Sequence, residues 1–208
     1  LKGGPSYEKN FIFCGLVFTS GFCRHAQAVK NSDTITETQW HDIVKALVQE
    51  NWSTAFALSA ENLKRAGEAA TDPKKLAMLR YVYLLSAAGK VFEGTMTYDE
   101  LEKAVKDHVG KQIAFPPRPI KLECQGEFNL ICGSEKEKNK AMVTASNRKA
   151  TSIFAFEYIE FKDKVDFAKN AGKKGEITGI IKDIAPNPNK TTIVILRIYV
   201  SDGHIDFL

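Results

Sequence analysis

Long apolar runs are missing from this chain of 208 residues. Outside a short N-terminal stretch, none approaches the roughly 18 residues that a membrane-spanning helix needs, which excludes an integral helical membrane body. Charge of one sign is not in excess either, with 29 basic against 25 acidic residues. Only 14 glycines and 7 prolines are present, too few for collagen-like or Pro/Gly-rich disordered sequence. Gly-x-Ser-x-Gly, a Walker A loop, His-Glu-x-x-His and Cys-x-x-Cys are all absent, so catalysis by those routes lacks its usual sequence support. What remains is 44% apolar and 26% charged, enough for one large folded domain or two small ones.

The first 28 residues read as a signal peptide. Lys9 precedes the apolar core Phe11 to Phe22, and Ala26-Gln27-Ala28 places small side chains at the two positions that flank a peptidase cut, so the mature chain is expected to begin at Val29 and to be secreted or periplasmic. Removing Lys2, Lys9, Arg24 and Glu8 leaves 26 basic and 24 acidic residues, near neutrality. Nucleic acid, which needs a concentrated basic footprint, is accordingly not the expected partner. Of four cysteines, Cys124 and Cys132 remain. Along one straight strand they would stand roughly 26 Å apart, so a disulfide requires a chain reversal between them. The alternative is two small buried apolar side chains.

From Asp33 to Val109 the apolar period is helical. Thr36 and Gln39 form a capping box, and Trp40, Ile43, Val44, Leu47 and Val48 follow on one face, which predicts a helix over about 37–50. Asn51 or Ser53 can cap a second helix carrying Trp52, Phe56, Ala60, Leu63 and Ala66. Asp72-Pro73 opens a third, expected to stop at Gly89, and Thr97 with Glu100 opens a fourth, expected to stop at Gly110. Four helices with short links predict antiparallel hairpins.

After Gly110 the pattern changes. Phe115-Pro116-Pro117-Arg118-Pro119 reads as a stiff linker, placing a domain boundary between a helical domain at 29–112 and a second domain at 113–208. Seven short runs rich in β-branched and aromatic residues follow, at 120–123, 128–132, 141–145, 152–161, 176–184, 191–200 and 205–207. The expected fold class is α+β: a four-helix α-hairpin domain, then a small, mostly antiparallel, OB-like β-barrel.

Two resemblances accompany this pattern. The hairpins from Trp40 to Gly110 resemble tetratricopeptide-type repeats in helix length and in the small residues Ala57, Ala60, Ala66 and Ala87, although no 34-residue period can be laid over them. The segment Lys174 to Ile181, a turn, and Thr192 to Leu196 is similar to the central hairpin of OB barrels. That resemblance implies a ligand groove across the barrel face, serving oligonucleotides, oligosaccharides or protein partners.

Candidate chemistry is sparse. Phe154, Phe156 and Tyr158 share a strand face, suited to a stacking platform or to a barrel core. Asp202, His204 and Asp206 alternate and could ligate a metal on an unbroken strand, whereas a turn at Asp202-Gly203 would scatter them. No cofactor is indicated. The sequence therefore suggests a non-enzymatic binding protein for a protein or oligosaccharide ligand. Its rivals are an exported hydrolase-like enzyme using dispersed residues such as His41, His108, Asp202 and His204, and a binder of single-stranded nucleic acid.

Overall fold

The computed structural model describes residues 35–67, 72–122, 124 and 126–208. The expected signal peptide lies outside the described residues. Among the described residues, four helices are followed by a closed barrel of six strands.

Local signals place the helices. The Thr36/Gln39 capping box forms and starts α1 (Glu37–Val48). Asn51 accepts from the Thr54 N–H at 3.2 Å and starts α2 (Trp52–Ala66). Asp72 accepts from Lys75 N–H at 2.9 Å, with Pro73 in the first turn of α3 (Pro73–Phe92). The Thr97/Glu100 box starts α4 (Tyr98–Lys106). Each cap satisfies an amide that the helix itself leaves without a partner.

Helix α3 does not stop at Gly89. A Cβ at that position would lie 2.2 Å from Cδ2 of Trp52, so the glycine lets α2 and α3 approach closely rather than ending the helix. α4 ends at Lys106, earlier than expected.

The barrel comprises β1 (Gln112–Lys121), β2 (Ile131–Gly133), β3 (Lys140–Ser146), β4 (Ile153–Phe161), β5 (Lys174–Pro186) and β6 (Val194–Phe207), closed in the order β1-β2-β3-β4-β6-β5. The β1/β2 and β4/β6 seams are parallel and the others antiparallel. A short α5 (Phe167–Asn170), which the sequence pattern does not reveal, buries Phe167 against Phe161 at a ring separation of 5.8 Å. It also lies against Gly133, where a Cβ would meet Phe167 Cγ at 2.1 Å.

Two expectations are corrected here. The stretch read as a linker is β1: Ile113, Phe115 and Ile120 are buried, and Pro116 and Pro117 sit at a register shift, where a missing N–H costs no ladder hydrogen bond. The runs at 191–200 and 205–207 belong to one strand, because β6 passes through Asp202-Gly203 as an irregularity, with Asp202 at φ +51°.

The boundary at 112/113 falls where strand structure begins, yet helices and barrel share one core. α3 is buried on nearly every side, between α2 and strands β1 and β4. At the junction the Trp52 ring meets Phe154 of β4 edge to face at 4.8 Å, and Phe92 of α3 lies 5.8 Å from the Phe154 ring. A smaller cluster of Ile35, Ile43, Leu79 and Val82 joins α1 to α3.

A polar cluster is also enclosed where α3 meets the barrel. Arg118 of β1 donates to the Tyr81 hydroxyl of α3 and to the Thr144 carbonyl of β3, and stands 3.5 Å from the Glu157 carboxylate of β4. Glu157 is fully buried, and its Oε1 has no hydrogen-bond partner among the described residues. Burial raises the Glu157 pKa, while the Arg118 charge and the Tyr81 hydroxyl pull it back. Burial likewise pushes the Tyr81 phenol well above its ordinary value.

Candidate binding groove

Strand alternation decides which β4 side chains reach solvent. Ala155, Glu157, Ile159 and Phe161 are buried, whereas Phe156 is half-buried and Tyr158 and Glu160 are exposed. Register then sets their neighbours: Met142 of β3 pairs with Tyr158, and Tyr158 pairs with Tyr199 of β6. The two tyrosine rings stack at 5.1 Å with an interplanar angle of 13°, and Phe156 lies 6.4 Å from Tyr158. These residues occupy non-equivalent positions in sequence and meet only through strand pairing.

Over this face lies a groove of about 840 Å³. Met142, Tyr158 and Tyr199 line it, Leu122, Cys132 and Gly133 form one wall, and the β2–β3 loop lies beside them. Three lysines (Lys136, Lys140, Lys182) and three glutamates (Glu135, Glu137, Glu160) complete the lining, so its formal charge cancels. Lys140 donates to Glu137 at 2.9 Å and faces Glu160 across the β3/β4 ladder. That hydrogen bond, with the adjacent carboxylate charge, raises the Lys140 pKa and keeps the amine cationic.

Cys124 and Cys132 form a disulfide with Cα atoms 6.0 Å apart. The reversal it requires runs through Gly126 at φ +74° and Asn129 at φ +60°. Asn129 is bracketed onto β3, its N–H donating to the Thr144 carbonyl and its side chain exchanging hydrogen bonds with Ser146.

The candidate platform is only partly available. Phe154 shares the strand parity of Phe156 and Tyr158, but α2 and α3 cover it and it is 1% exposed. It is a core residue, excluded from binding by Trp52 and Phe92. Tyr199, Met142 and Lys182 were missed by the sequence reading. The alternation around Tyr199, with Ile198 and Val200 buried, marks it as outward-facing, but its partner depends on register.

The other candidates do not converge. His204 Nε2 lies 3.2 Å from Asp206 Oδ1, while Asp202 contacts Ser201 through its side chain. Among the described residues, no three His, Cys, Asp or Glu side chains are grouped so as to hold a metal ion. His41 is exposed on α1 beside Asp42, and His108 packs against the Tyr83 ring at 4.8 Å. Among the described residues no histidine lines the groove, nor the smaller hollow beside Asp202 and Asp206.

Among the described residues no helix is long and apolar enough to cross a membrane. Compared with protein-family models, with curated proteins and with solved structures, the chain matches none.

Proposed function

We propose that the chain is a non-enzymatic binding protein, exported by its N-terminal segment, that holds an uncharged oligosaccharide in the groove over β3, β4 and β6. The observation that carries this reading is the combination of an aromatic pair, Tyr158 stacked on Tyr199, with a lining of donors and acceptors whose charges cancel. Sugar rings present flat C–H faces to aromatic rings and hydroxyls to ammonium and carboxylate groups, so both halves of the lining find a counterpart.

Rival occupants fit less well. A polyanion would meet three carboxylates at the rim, which cancel the attraction that phosphate binding relies on. An extended peptide that binds by adding a strand needs an open sheet edge, and a closed barrel offers none. The OB-like reading lends support. A closed barrel containing the antiparallel β5–β6 hairpin is compatible with the OB-like resemblance, which implies a ligand groove across a barrel face.

Titration calorimetry with neutral hexose and N-acetylhexosamine oligomers tests the proposal. Wild-type protein is expected to bind at least one series, with Tyr158→Ala and Tyr199→Ala each weakening it about tenfold, the loss of one stacking contact. Affinity that survives both substitutions, or the absence of binding to every oligomer, refutes it. A single-stranded oligonucleotide that binds instead, with affinity falling steeply as salt rises, replaces the oligosaccharide by nucleic acid.

A further inference from the structure

One wall of the groove is built from the weakest seam of the barrel. β2 is three residues long, and its parallel ladder to β1 consists of Ile120 opposite Ile131 and Lys121 opposite Cys132. By contrast, β5 and β6 pair along most of their length. The disulfide joins the middle residue of β2 to the chain just beyond the end of β1, so it acts across this short ladder. Cys132 and Gly133 line the groove, and so does Leu122 at the exit of β1.

We propose that the Cys124–Cys132 disulfide is the clasp of a redox-sensitive wall, whose reduction frees β2 from β1 and slackens the groove while the other seams hold. This rests on the groove being the binding site. Two features direct the opening to that seam. On its other side β2 pairs antiparallel with β3, and the Asn129 bracket ties the preceding loop to Ser146 and Thr144, so a released β2 travels with β3. The Lys121–Glu127 ion pair, which links the end of β1 to the segment between the two cysteines, is exposed and of the kind that contributes little to stability in water. Both cysteines are partly exposed and open to attack from solvent.

The chemistry is thiol–disulfide exchange with an external dithiol. Its thiolate attacks one sulfur of the bond and forms a mixed disulfide, releasing the other cysteine, which takes up a proton. The second thiol of the reagent, as thiolate, then displaces the remaining cysteine. The dithiol is oxidised by two electrons to its disulfide, and the protein gains two thiols.

Hydrogen exchange on the full chain reads the outcome, comparing oxidised protein, protein reduced with dithiothreitol, and the C124S/C132S variant. A local clasp requires the amides of residues 131–133 to accelerate at least about tenfold more than those of residues 176–181 in β5, in both the reduced protein and the variant. An equal acceleration across the barrel marks a bond that stabilises the whole fold, and overturns the proposal, as does no change. A second arm uses the neutral oligomer bound most tightly by oxidised protein. Reduction is expected to weaken it about tenfold, and by linkage the oligomer shifts the reduction equilibrium by the same factor. Equal affinity in both redox states refutes the clasp and leaves the groove standing. Failure of every oligomer to bind oxidised protein refutes the oligosaccharide reading, and the exchange arm then decides the clasp alone.

Discussion

Replacing Phe154 by alanine tests whether the helices and the barrel are one cooperative structure. The ring is 1% exposed, edge-on to Trp52 at 4.8 Å and 5.8 Å from Phe92, so its removal leaves a void bounded by α2, α3 and β4. Phenylalanine-to-alanine changes in well-packed interiors cost roughly 3–5 kcal/mol, through lost transfer free energy and incomplete collapse of the cavity. The aromatic pairing with Trp52 contributes about 0.5–1.5 kcal/mol of such losses, which places the expected cost near the upper half, about 4 kcal/mol. For a folded unit of this size each kcal/mol moves the midpoint by about 2–4 °C, so Tm should fall by roughly 8–16 °C. Far-UV circular dichroism follows the helices, and near-UV aromatic signal follows the core. Because Phe154 belongs to a barrel strand while its neighbours belong to helices, both probes should shift together in one transition. A loss below about 1 kcal/mol, or a helical signal that melts separately from the aromatic one, refutes the shared core.

Glu157 makes stability depend on pH with a definite sign. Its folded pKa is raised by burial, so its contribution is fully present below the ordinary carboxylate value and is lost as pH rises through the folded value. Urea midpoints of Glu157→Gln should therefore lack part of the decline that wild type shows above the carboxylate range, and parallel pH profiles would contradict this. Gly89→Ala ordinarily favours a helix by about 1 kcal/mol. Here the new methyl falls within 2.2 Å of the Trp52 ring, and a net loss of about 1–3 kcal/mol in chemical denaturation is expected instead. The chain-entropy account of a loop closed over eight residues gives the Cys124–Cys132 bond roughly 2–3 kcal/mol, and a local clasp requires that loss to fall on the β1/β2 seam, so C124S/C132S should melt close to the wild-type Tm. A Tm lowered by the full amount, about 4–12 °C, would show that the bond holds the whole fold rather than one seam.

The sequence by itself determined what depends on neighbours a few residues apart. Caps at Thr36, Asn51, Asp72 and Thr97 are local hydrogen-bonding chemistry, and each starts a helix where the pattern places one. Strand-rich composition after Gly110 is equally local, and a barrel follows from it. Tertiary structure decided the rest. Pro116 and Pro117 read as a linker because their ring geometry is extended, but a strand with a bulge accepts the same geometry once Phe115 and Ile120 find a core. Gly89 read as a stop because glycine weakens helices, and only the approach of Trp52, 37 positions earlier, makes its missing side chain a packing feature. Phe154 and Tyr158 have the same parity on one strand, yet one is sealed by helices and the other opens on the groove. Periodicity specifies which side of a strand a residue occupies, whereas what covers that side depends on register and on elements distant in sequence. The stacking of Tyr158 on Tyr199 is therefore a property of the fold rather than of either segment.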